Sequence, residues 1–83
     1  MPIIEKINNI YTLFSKKRVQ CTNYNGRNFT FEKDNIAIII EHYEDEDEYW
    51  MFVSKNGKFI LRKEIHSSED LNQIEQLAYV KRW

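Results

Sequence analysis

The chain has little of what usually breaks or staples a fold. Its 83 residues include one Cys, one Pro and two Gly. The single Cys21 excludes a disulfide within the chain and points weakly to a reducing compartment such as the cytoplasm. With so few Pro and Gly, nearly all of the chain can enter regular elements. No apolar run nears the roughly 18 residues that a membrane-crossing helix needs. The longest, Ile36 to Ile40, is strand-sized. Met1-Pro2-Ile3-Ile4-Glu5 has no basic region ahead of an apolar stretch, so no signal peptide is expected. No membrane association is expected either.

What is present is apolar and charged in nearly equal prominence. Hydrophobic residues make up 42% of the chain, with five Phe, five Tyr and two Trp, which argues against global disorder. The length suits one domain, expected to span residues 1–83, with a small core. Net charge is only −1, but its distribution is uneven. Residues 1–40 hold six Lys/Arg against three acids, and residues 49–83 hold six against four. Between them, residues 41–48 hold six acids and no base. A mildly basic domain thus carries one concentrated acidic segment, the most informative feature of the sequence.

Ile3, Ile7, Ile10 and Phe14 recur at helical spacing, predicting a helix over residues 3–16. Pro2 suits its first turn, and Lys16, Lys17 and Arg18 suit its C-terminal end. The period then changes to two. Strands are predicted near 18–24 and 27–33, joined at Asn25-Gly26, a hairpin signal because both residues tolerate positive φ. Ile36 to Tyr43 and Tyr49 to Ser54 read as strands apolar on both faces, and Phe59 to Ile65 as a fifth strand after Asn56-Gly57. On simple alternation Phe59, Leu61 and Ile65 share a face with Lys63, while Ile60 joins Arg62 and Glu64. Ser67-Ser68-Glu69-Asp70 signals a second helix start, and Leu71, Ile74, Leu77 and Ala78 carry its stripe to about Val80. Lys81 and Arg82 fall at its C-terminal end. The expected fold class is α+β: N-terminal helix, five-stranded antiparallel meander, C-terminal helix. The two helices are expected to cover the sheet, on one face or one on each, and apolar residues on both faces of several strands slightly favour cover on both.

Four constellations bear on function. Glu44-Asp45-Glu46-Asp47-Glu48, with Glu41 just before, cannot be buried together. The run is either a solvated loop or a patch that docks on a basic surface, its carboxylates imitating the spacing of phosphates. A hard cation is a weaker reading, since the EF-hand spacing and its turn glycine are missing. Tyr43, Tyr49, Trp50, Phe52 and Trp83 are either core or anchors for a partner. Lys16, Lys17, Arg18, Arg27, Lys55, Lys58, Arg62 and Lys63 are either solvated faces or a track for single-stranded nucleic acid. Aligned hairpins would group Lys55 and Lys58 with Arg27 at one sheet end. Finally, His42, His66 and Cys21 match no nucleophile, acid–base or metal spacing. No catalytic residue, cofactor or metal ligand is therefore assigned.

No motif names a family. In size and charge the chain resembles phage-encoded inhibitors of host nucleases, including anti-CRISPR proteins, a likeness with no matched residues behind it. The leading expectation is a non-enzymatic, cytoplasmic protein-binding module. Its acidic run would attract a basic, nucleic-acid-handling partner, with Tyr43, Tyr49 or Trp50 as apolar anchors. The alternatives are a single-stranded nucleic-acid-binding domain using Arg27, Lys55, Lys58 and Arg62, and a subunit that self-associates through an edge strand or Trp83.

Overall fold

A computed structural model describes residues 1–80. Trp83 lies outside the described residues, as do Lys81 and Arg82. The elements follow the predicted order. Helix α1 spans Ile3–Ser15, followed by strands β1 (Gln20–Tyr24), β2 (Asn28–Lys33), β3 (Ile36–Tyr43), β4 (Glu48–Lys55) and β5 (Lys58–Ile65). The strands form one antiparallel meander in chain order. The C-terminal helical segment is shorter and less regular than the expected single helix. It passes through 3-10 turns at Ser68–Leu71 and Leu77–Tyr79 on either side of helix α2, Asn72–Gln76.

Local chemistry accounts for the boundaries. Pro2 sits just ahead of α1 as its N-cap rather than inside the first turn, and its carbonyl accepts from the Lys6 N–H at 3.2 Å. Asn25 and Gly26 hold φ of 53° and 69°, and Asn56 and Gly57 hold 54° and 80°. These left-handed pairs give the tight turns whose twist matches the strands. At the second helical segment, the Asp70 carboxylate accepts the backbone N–H groups of His66 at 2.8 Å and Ser67 at 3.3 Å. That satisfies donors which a helix start leaves unpaired.

All of the core lies on one side of the sheet. Ile7, Ile10 and Phe14 of α1 meet Phe29, Phe31, Ile38, Ile40, Met51 and Ile65, and Leu71 and Ile74 close the cluster. Phe14 stands edge-on to Phe31 with centroids 5.1 Å apart. Such pairs add a little beyond the area they bury. Two lysines tie the helical elements together on this side. Lys6 pairs with Glu75 at 2.9 Å. Lys17 donates to the carbonyls of Leu77 at 3.1 Å and Val80 at 2.6 Å.

The expectation of helices on both faces is therefore corrected. α1 and the C-terminal segment share one face, and no described element covers the other. The apolar residues on the second face do not signal a second helical layer. An antiparallel sheet is free to leave one face open.

A second correction concerns β5. A two-residue turn pairs Lys55 with Lys58 and Ser54 with Phe59. Continued without interruption, that register would turn Ile65 to the open face and Glu64 to the core, because one step exchanges the faces. An irregularity opposite Val53/Ser54 absorbs Ile60, and Leu61 pairs with Val53. From there Leu61, Lys63 and Ile65 take the core side, while Arg62 and Glu64 take the open side. Phe59 is consequently separated from Leu61 and joins Arg62, against the simple alternation.

Candidate functional site: the open sheet face and its acidic turn

The open face is built by cross-strand pairing. Glu41 lies opposite Trp50, and Tyr43 opposite Glu48. Phe52 lies between Ile39 and Arg62, and Trp50 opposite Glu64. Carboxylates and aromatic rings thus alternate across β3, β4 and β5. Several contacts fix them. The Tyr43 hydroxyl donates a short hydrogen bond to Glu41. That bond is the main reason its phenol is held above the usual range, since ionisation would set an anion beside a carboxylate. Trp50 Nε1 donates to Glu48 at 3.1 Å. The Arg62 guanidinium carbon stands 4.5 Å from the Trp50 ring centroid, a cation–π contact. Phe52 and Phe59 meet edge-on with centroids 6.2 Å apart.

The acidic run forms the turn between β3 and β4, with Glu48 already in the strand. Glu44 pairs with Arg27 at 3.0 Å, and Asp47 meets His42 Nε2 at 3.1 Å. The Asp47 N–H donates to the Glu44 carbonyl at 3.3 Å, and Asp47 takes a positive φ of 51° to close the turn. The two outer acids are thus tied to neighbouring elements. Asp45 and Glu46 project into solvent between them, exposed.

Seven of the residues expected in the patch fall together: Glu41, Tyr43, Glu44, Asp45, Glu46, Glu48 and Trp50 lie on the open face or its adjoining turn. Asp47 closes the turn toward His42. Tyr49 is the exception. It points to the core side, where its ring stacks on His42 with centroids 4.1 Å apart and planes 4° from parallel. Burial, reinforced by nearby Asp47, pushes its phenol above the usual range. Tyr49 and Trp50 are adjacent in one strand and cannot share a face.

The basic set does not assemble as expected. Turns of a meander alternate between the two sheet ends. Arg27 follows the first turn and so stands beside the acidic turn, paired with Glu44. Lys55 and Lys58 flank the fourth turn at the opposite end, where the Asn56 N–H donates to Asn35 at 2.9 Å. Cys21 is half-buried, and burial raises its thiol pKa, so the reactive thiolate is disfavoured. Among the described residues no three His, Cys, Asp or Glu side chains converge as a metal site would require. No described helix is long and apolar enough to cross a membrane.

Alternation alone misses a cleft of about 280 Å³ on the open face, lined by Ile39, Glu41, Phe52, Phe59 and Arg62. Phe59 is on this face through its pairing with Ser54, and the irregularity at Ile60 is what brings Arg62 to the same face. The signal was present in the run Phe59-Ile60-Leu61, since three consecutive apolar residues cannot alternate. Comparison with protein families, curated proteins and solved structures finds no match to this chain.

Proposed function

We propose that this chain is a non-catalytic protein-binding module whose open sheet face and adjoining acidic turn dock on a basic surface of a nucleic-acid-handling protein. The observation that supports this reading is the pairing of Glu41 with Trp50 and Tyr43 with Glu48 on a face that no described element covers. Aromatic anchors beside carboxylates supply both halves of an interface: apolar area to bury, and charge to steer and orient. The face carries Glu32, Glu41, Glu48 and Glu64 against Arg62, and Asp45 and Glu46 extend the negative field at its end. Its complement is a basic groove of the kind that holds phosphates. Inhibition of a host nuclease, as by anti-CRISPR proteins, is the biological form such docking takes.

The alternative of single-stranded nucleic acid has less support. Its basic residues stand at opposite sheet ends, and the face between them is acidic. The deciding experiment is a tagged pull-down from host lysate, with and without nuclease and at two salt concentrations. It is repeated after replacing residues 44–48 by Ser and Asn. The expected result is a basic protein that survives nuclease, is lost at high salt and is lost with the acidic run. Retention of nucleic acid as the bound species, or binding unchanged by the replacement, overturns the reading.

A further inference from the structure

The cleft on the open face suggests what it receives. We infer that it seats one long basic side chain, an arginine or lysine of the docking partner, its aliphatic stem against Phe52 and Phe59 and its cationic head at Glu41. This rests on the protein-binding reading above and adds the chemistry of the contact.

Three observations converge. The cleft holds about 280 Å³ and is lined by Ile39, Phe52 and Phe59 together with Glu41 and Arg62. Its walls are therefore apolar apart from one carboxylate and one guanidinium. Second, the chain already seats a guanidinium on this surface, since Arg62 lies over Trp50 at 4.5 Å. The neighbouring pair Phe52 and Phe59 offers a second aromatic seat, and Phe59 is 68% exposed. Third, Glu41 accepts from the Tyr43 hydroxyl but has no cation within ion-pair distance among the described residues. An apolar side chain would bury that carboxylate uncompensated, and an acidic one would be repelled by it and by Glu48 and Glu64. A long basic side chain satisfies both walls and carboxylate, because its stem is apolar and its head charged. Arg62 opposes the incoming cation, and that opposition gives the inference a distinctive signature.

The test is an NMR titration of the full chain with a blocked Gly-Ser-Arg-Ser-Gly peptide and its Glu counterpart. The Arg peptide should give saturable shifts centred on Phe52 and Phe59, in the millimolar range expected of one side chain. Glu41→Gln and Phe59→Ser should each weaken it about threefold or more. Arg62→Gln should strengthen it by removing the like charge, and the Glu peptide should not saturate. Each variant's own spectrum reports whether its fold survives, and the exposure of Phe59 makes F59S safe on that count. Asp45→Asn with Glu46→Gln should leave cleft binding within about twofold, because neither residue lines the cleft and both are solvent-screened. Shifts confined to the acidic turn overturn the cleft while sparing the docking module. Absence of saturable shifts, or weaker binding in R62Q, also overturns the cleft. Cleft binding that persists while the lysate partner ignores the acidic run does the reverse, upholding the cleft and overturning the role of the turn.

Discussion

The two faces of the sheet are made from the same strands and nearly the same residue types, yet they do opposite things. On the core side, Phe29, Phe31, Ile38 and Ile40 lie almost wholly buried beneath α1 and the C-terminal segment. On the other side, Ile39, Trp50 and Phe52 alternate with Glu41, Glu48 and Arg62 and meet no described helix. A small domain cannot cover everything, but an uncovered aromatic row interleaved with carboxylates is what interfaces are made of. The difference teaches that apolar content alone does not mark a core. What separates the faces is whether charged residues interrupt the apolar ones. From Phe29 across to Met51 the core side carries no charge in its middle rows, whereas every apolar residue in the middle of the open face has a carboxylate or guanidinium beside it.

The sharpest way to break that comparison is to remove one ring from each side. Phe31→Ala takes away a fully buried ring that contacts Phe14 and Tyr11. It should cost about 3–5 kcal/mol, a large part of what a domain of this size has. Phe59→Ala removes an exposed ring and should stay within about 0.5 kcal/mol. Urea unfolding of the two variants measures both. Comparable losses would mean that the open face is covered in solution, for instance by a second copy.

A smaller effect concerns how the C-terminal segment is fastened to the core side. Asp70 is held below its ordinary value of 3.8, first by the His66 N–H, then by the Ser67 N–H and by Lys63 and His66, with desolvation opposing. A carboxyl with a lowered pKa in the folded state stabilises the fold while it is ionised. Its contribution is therefore complete above the unfolded carboxyl's range and is lost as pH falls through the lowered folded value. Wild type should exceed Asp70→Ala in stability by a constant margin above about pH 5, and the two should converge as pH falls below about 4. Urea midpoints across that range decide it. A margin that persists in acid would assign the role of Asp70 to something other than its charge.

Much of this architecture is legible in the residues. Ile36–Tyr43 is read to the residue, and both Asn-Gly pairs stand at tight turns. The run Ser67-Ser68-Glu69-Asp70 stands at the start of the second helical segment, as its residue types suggest. The acidic run is likewise recognisable as a turn, because adjacent carboxylates must reach solvent. What is not legible is long-range. Alternation says which residues share a face, never whether a helix returns to cover it. The pairing of Arg27 with Glu44 depends on which turns share a sheet end. That Tyr49 and Trp50 take opposite faces follows from alternation, but which of the two faces the helices cover does not.

The smallest expected effect sharpens the boundary between the faces. Ile60 is the residue at which β5 changes register, and it is 63% exposed. Without it, Lys55–Lys58, Ser54–Phe59 and Val53–Leu61 become consecutive pairs of an unbroken ladder. The turn geometry and the core requirement then agree with no irregularity between them. Deleting Ile60 should therefore leave Ile65 in the core and Arg62 on Trp50, with a stability change within about 1 kcal/mol. Thermal unfolding together with an amide NMR spectrum checks both halves of this. A deletion that unfolds the chain would show that the irregularity itself supports β5, beyond setting its register. A folded variant that loses the cleft would instead show that the bend at Ile60 is what brings Phe59 against Phe52, making this one extra residue the determinant of the open face's shape.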